Sequence, residues 1–171
     1  VEHGQRIRLP SQVYEERLAT CLDTTVLFAA CLEAIGLRPL IVLTKGHAFA
    51  GFWLSQQDAG ASIVQDLPGI RNRLKLDDLR VFETTLVTAA RKPGFATACG
   101  RGEANLRDIG DDDEDAFREI IDVHRARLRR IRPLSTPGSH TDTNLDEASE
   151  DASEQPLFEA APTLREEREE E

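Results

Sequence analysis

A chain of 171 residues, 40% of them hydrophobic, can bury one ordinary domain core and is too short for two large ones. Its net charge of −10 is uneven: residues 1–134 hold 19 Lys and Arg against 19 Asp and Glu, whereas residues 135–171 hold 2 Arg against 12 acids. A neutral body with an acidic end gives no compositional support for nucleic-acid binding, and no apolar run approaches the roughly 20 residues of a membrane span.

Residues 1–10 are polar and read as an extended lead-in. Ser11 predicts the N-cap of a short helix over 11–18, with Val13, Tyr14 and Leu18 as its apolar positions. Thr20 predicts the cap of a second helix over 21–35, ended by Gly36. Apolar residues run nearly all the way round it, which predicts a helix at the buried centre of the domain. Residues 39–44 and 47–54 read as strands joined by a Lys45-Gly46 hairpin. Residues 55–79 form a polar excursion broken by Gly60, Pro68 and Gly69, with a helical piece around 67–74. Residues 80–87 read as a third strand, and 95–110 carry only a weak pattern. Five acids at 111–115 then precede a long amphipathic helix with Phe117, Ile120, Ile121, His124, Leu128 and Ile131 at helical spacing. Arg125, Arg127, Arg129, Arg130 and Arg132 complement its C-terminal dipole, and Pro133 stops it. Residues 135–171, with one apolar island at Leu157-Phe158, read as a disordered acidic linker. The fold class expected for 1–134 is α+β, with a small antiparallel sheet packed on the Cys21 helix. A chain opening on Val1 inside this lead-in reads as a fragment.

The chemistry concentrates on two residues. Cys21 stands at a helix tip, where unpaired N–H groups favour thiolate, and His47 opens an apolar strand 26 positions later. Thiol catalysis needs a nucleophile, a base, a group that orients the base, and N–H donors for the oxyanion. Cys21 and its own N–H, His47 and Glu83 on the third strand can fill those places. Opposite side chains on adjacent strands lie about 5 Å apart, within reach of a carboxylate bonding the imidazole Nδ1. The plainer reading is that a lone Cys on an apolar helix is a core residue and a lone His beside a hairpin is structural; the conjunction argues otherwise. Cys31 reads as buried in mid-helix and Cys99 as lying in a loop without partners. His3, His124 and His140 carry no chemistry, and the Arg125–Arg132 cluster reads as a solvated helix end. Three cysteines without paired spacing point to a reduced, cytoplasmic setting. No cofactor or metal is expected.

Thr20-Cys21-Leu22-Asp23, the helix exit Glu33-Ala34-Ile35-Gly36-Leu37-Arg38-Pro39 and Gly46-His47-Ala48-Phe49 together resemble the core of the transglutaminase-like superfamily, related to papain-like cysteine proteases. The resemblance spans roughly residues 12–87 and implies a thiol acyl-transfer triad of Cys21, His47 and Glu83. The chain departs from the family pattern at Ala19 (usually Gly), at Phe49 (usually Trp) and at Phe82-Glu83-Thr84-Thr85, where Asp-Pro-Thr is usual. The wide spacing from His47 to Glu83 implies an insertion over 55–79 and leaves Asp66 as a rival third member. A narrower resemblance, carried by Gly4–Gln12, the Gly46–Phe49 strand start, Val81–Leu86 and Ile121–Leu134, is to the transglutaminase-like segment near the N-terminus of large bacterial helicase-related proteins. That would supply further domains of the same polypeptide as partners. No Gly-x-x-x-x-Gly-Lys-Ser/Thr loop occurs, so the chain carries no ATPase site of that type. The leading expectation is a domain hydrolysing a peptide or isopeptide bond. The alternatives are the same fold with an idle triad serving as a protein-binding module and, third, a nucleic-acid contact through the arginine-rich helix.

Overall fold

A computed structural model describes residues 6–55, 60–91, 93–110 and 116–133. In chain order the elements are α1 (Pro10–Glu16), α2 (Cys21–Ala34), β1 (Pro39–Thr44), β2 (His47–Trp53), β3 (Ile63–Val64), α3 (Leu67–Lys75) and β4 (Leu79–Phe82). A 3-10 turn (Thr85–Thr88), α4 (Phe95–Arg107), β5 (Phe117–Asp122) and α5 (Val123–Leu128) complete them. The mixture of helices and an antiparallel sheet is α+β.

The five strands lie in the order β3-β5-β1-β2-β4, and each neighbouring pair is antiparallel. Gly46, at φ +73°, closes the β1–β2 hairpin, in which Thr44 pairs with His47. Strand periodicity sorts the sheet into two faces. On one, Leu40, Val42, Phe49, Trp53, Val81 and Ile120 form the main core with Ile70 of α3 and Leu106 of α4. Burying each such side chain stabilises the fold by about 1.5–3 kcal/mol. On the other, Ala50 and Phe82 pack with Ala98 and Cys99 of α4 and with Phe28 and Leu32 of α2.

Polar side chains help to position α2 and α4. In α2 the fully buried residues are Asp23, Thr24, Thr25 and Ala29, so hydroxyls and a carboxylate face the protein while Ala30 and Cys31 are exposed. The expectation of a helix buried all round is therefore corrected: α2 packs on the sheet through Phe28 and Leu32, is hydrogen-bonded at its N-terminal end, and leaves one side open. Helix α4 crosses β4 closely at Gly102, where a Cβ would stand 2.8 Å from the Phe82 Cα. Arg71 of α3 caps its far end, donating to the carbonyls of Leu106, Arg107 and Ile109.

Four sequence expectations change. The long amphipathic helix expected from Phe117 is instead strand β5 followed by the short α5. Its apolar residues straddle a junction at Asp122, whose carboxylate accepts from the Arg125 N–H and starts the helix there. Residues 95–110, read as weakly patterned, contain α4; Cys99 lies buried on that helix rather than in a loop. The third strand is shorter than expected, ending at Phe82, so Glu83 lies just beyond it. The first helix starts at Pro10 rather than after Ser11, and Gln12 Oε1 accepts from the Leu9 N–H there. The expectations for 111–115 and for the linker over 135–171 fall outside the described residues. Among the described residues, no helix is long and apolar enough to cross a membrane.

Candidate active site

Cys21 is the first residue of α2 and is half-buried. The tip is built by a reciprocal capping box: Thr20 Oγ1 accepts from the Asp23 N–H, and Asp23 Oδ2 accepts from the Thr20 N–H. Asp23 also accepts from the Arg8 backbone N–H at 2.8 Å and from its guanidinium at 3.1 Å, which ties the lead-in to the tip. Burial pushes the Asp23 carboxyl upward, but the bonds from Thr20 and Arg8 outweigh it and hold it below the ordinary range. The capping pattern leaves the N–H groups of Cys21 and Leu22 without a protein acceptor among the described residues. Such donors suit an oxyanion.

His47 and Glu83 meet. The imidazole Nε2 lies 2.7 Å from Glu83 Oε2, and the ring stacks on the buried Phe49 with centroids 5.9 Å apart. The strand register accounts for the proximity of the two residues. Ala50 pairs with Phe82, so Glu83, one residue on, falls opposite Phe49, and its carboxylate reaches diagonally to His47. The expected Nδ1 contact is replaced by Nε2, and Nδ1 is the ring nitrogen left over.

Glu83 is only 7% exposed, yet both oxygens are satisfied. Oε1 accepts from the Thr85 N–H and hydroxyl at 3.0 and 2.7 Å, and Oε2 accepts from Asn105 Nδ2 at 2.9 Å as well as from His47. Burial raises the Glu83 carboxyl, and the bonds from His47 and Thr85 more than offset it, leaving it below the usual carboxylate range. A carboxylate that only accepts obliges His47 to donate from Nε2, which leaves Nδ1 outside the pair.

Helix α4 fixes this pair. The Glu83 N–H donates to the Ala98 carbonyl at 2.9 Å, Asn105 bonds the carboxylate, and Gly102 between them lets the helix approach the strand. Ala98, Gly102 and Asn105 follow the i, i+4, i+7 spacing of one helix face. Sequence reasoning missed Asn105 and Gly102; the Gly102-x-x-Asn105 spacing was the available signal, and it requires first recognising α4.

The Cys21 tip joins the pair through threonines. The hydroxyls of Thr24 and Thr25 bond the Cys21 carbonyl at 2.9 and 2.7 Å, and both lie within 3.0–3.2 Å of Thr84 Oγ1, next to Glu83. Among the described residues no hydrogen bond links Cys21 to His47. Asp66, the rival third member, is exposed and caps α3, accepting from the Gly69 N–H at 3.0 Å. Cys31 is exposed rather than buried, and burial pushes the Cys99 thiol up. Arg127, expected as part of a solvated helix end, makes a two-pronged pair with Glu33 of α2 at 2.8 and 2.9 Å.

An open apolar cleft of about 480 Å³ adjoins the site; Glu83 and Thr84 form part of its wall. Among the described residues no cluster of His, Cys, Asp and Glu is arranged to hold a metal ion. Compared with protein-family models, curated proteins and solved structures, the chain matches none.

Proposed function

We propose that residues 1–134 act as a transglutaminase-like thiol acyl-transfer domain that hydrolyses a peptide or isopeptide bond, as a module of a larger helicase-related bacterial protein in the cytoplasm. The single observation that carries this proposal is the 2.7 Å contact between His47 Nε2 and the buried Glu83 carboxylate, which leaves Nδ1 outside that pair.

In the proposed reaction His47 Nδ1 takes the proton of Cys21, whose sulfur forms a bond to the substrate carbonyl carbon. The N–H groups at the α2 tip receive the developing oxyanion. His47 passes its proton to the departing amine as the C–N bond breaks, leaving a thioester. Water, deprotonated by His47, then forms the new C–O bond as the C–S bond breaks, and the proton returns to Cys21. Glu83 holds the imidazole orientation throughout and stabilises its charged form.

A peptidyl vinyl sulfone, which alkylates activated thiols, tests the proposal. It is expected to label Cys21, and His47→Ala is expected to abolish labelling while Cys31 keeps its slow background rate. Labelling of Cys21 that is indifferent to His47 would rule out the triad. The lack of a Cys21–His47 hydrogen bond among the described residues favours one second reading, a protein-binding module with an idle triad. Under that reading peptides bind, Cys21 stays unlabelled and no product forms.

A further inference from the structure

Four of the seven phenylalanines, in a chain with 5% aromatics, gather in and around the second apolar cluster, which opens on one side as a cleft. Phe82 is their centre, with ring centroids 5.6 Å from Phe28, 6.3 Å from Phe52 and 5.4 Å from Phe95. Leu32 and Leu86 extend the same apolar wall, and Phe95 remains 58% exposed. A volume of about 480 Å³ lies within the range of roughly 300–1,000 Å³ usual for ligand pockets.

We propose that this cleft is a specificity pocket for a bulky apolar side chain, aromatic or branched aliphatic, of an extended peptide whose backbone runs along α2. The assignment deepens the thiol-hydrolase reading and rests on it for the position of the attacked carbonyl. Charge selects the occupant. Among the described lining residues Glu83 is the sole titratable group, and its oxygens are taken by His47, Asn105 and Thr85. A charged side chain would lose its water and gain no counterion among the described lining residues. An aromatic one would add edge contacts to a cluster already arranged that way.

Continuity with the site sets the register. Thr84 lines the cleft and bonds Thr24 and Thr25 in the turn above, while Phe28 follows Cys21 by two turns. Seven helical residues rise roughly 10 Å, and an extended peptide covers that in about three residues at roughly 3.4 Å each. The preferred side chain therefore belongs two or three residues from the carbonyl that Cys21 attacks.

The test uses the full chain carrying Cys21→Ala, so that peptides bind without turnover. Acetylated octapeptides of Gly, Ser and Ala, each with one Phe at a different position, are compared with the all-small parent by fluorescence-competition binding. One Phe position is expected to tighten binding at least tenfold, and Glu at that position to abolish the gain. Phe95→Ser and Val87→Lys, both at exposed rim positions, are expected to reduce the gain below threefold, with thermal melts confirming that each variant folds. Equal binding of all peptides, or a Phe preference that survives both rim variants, would overturn the pocket assignment. The two proposals separate cleanly. If the Cys21 chain binds the Phe peptide and leaves it uncut, the pocket stands and the chemistry falls. If it cuts Phe and parent peptides at equal kcat/KM, the chemistry stands and the pocket falls.

Discussion

Glu83→Gln replaces one carboxylate oxygen with an amide nitrogen, and the surrounding donors dictate how the new side chain must sit. Its carbonyl oxygen fits best at the Oε1 position, where the Thr85 N–H and hydroxyl both donate. The new NH2 then sits where Oε2 was, facing His47 Nε2 and Asn105 Nδ2. Two donors cannot face a third, so Asn105 must turn its amide oxygen inward and His47 must accept at Nε2. The imidazole proton moves to Nδ1, the nitrogen that the proposed reaction needs as a base. Most hydrogen bonds are rebuilt, without the charge, so stability is expected to fall by only about 1–3 kcal/mol. Turnover is expected to fall by about 10⁴, the scale seen when an orienting carboxylate is lost and the wrong tautomer results. Long-range proton–nitrogen spectra of the imidazoles report the tautomer directly, with His47→Gln identifying its signals among the four histidines. A variant that keeps the proton on Nε2, or works within threefold of the parent, would show that Glu83 does not set the state of His47.

The same contacts set other outcomes. Iodoacetamide at pH 6.5 is expected to modify Cys21 first and the buried Cys99 last; Cys31 reacting as fast as Cys21, as peptide mapping would show, would contradict an activated thiol. Asp23 and Glu83 are both held below the ordinary carboxylate range in the fold, so at low pH the unfolded chain binds more protons. Their contribution to stability is therefore complete above the ordinary range and is lost as pH falls through about 4 and below. Urea titrations from pH 7 to 3 should show that decline, reduced in Asp23→Asn with Glu83→Gln; an unchanged slope would remove both groups from the account. Gly102→Ala must push α4 off Phe82 and is expected to cost about 1–3 kcal/mol in denaturant melts, with Cys21 labelling weakened as Asn105 shifts. Asp66→Asn keeps an N-cap acceptor for α3 and should leave both melting and Cys21 labelling almost unchanged; a large loss of labelling would return Asp66 to the site.

Local signals carried the first half of the domain. Thr20 capping α2, the β1–β2 hairpin around Gly46 and the helix near 67–74 all stand in the structure where the sequence put them. The His47–Glu83 pairing was legible because both residues flank apolar strand runs. The ring nitrogen was not, since it depends on the side-chain rotamer of His47. Helix α4 escaped notice because Gly94, Gly100 and Gly102 dilute its pattern, and tertiary contact with β4 overrides their poor helix propensity. Phe117 to Leu128 misled for a different reason. Ile120 and Ile121 sit on opposite faces of a strand and Leu128 on a helix, and a period counted across the Asp122 junction imitates one long helix. Asn105 was out of reach once α4 was unread.

The position of β5 has a consequence for biosynthesis. It lies between β3 and β1, yet it begins at Phe117, 64 residues after β2 ends at Trp53. At roughly 5–20 residues per second of translation, about 3–13 s separate completion of the β1–β2 hairpin from arrival of its neighbour. For that interval one edge of β1, bearing Leu40 and Val42, offers its amides and carbonyls to any strand nearby. The nascent chain is thus open to strand capture by a second nascent copy on the same messenger, and a chaperone that shields the β1 edge would act before Asp122 leaves the ribosome and have nothing to hold afterwards.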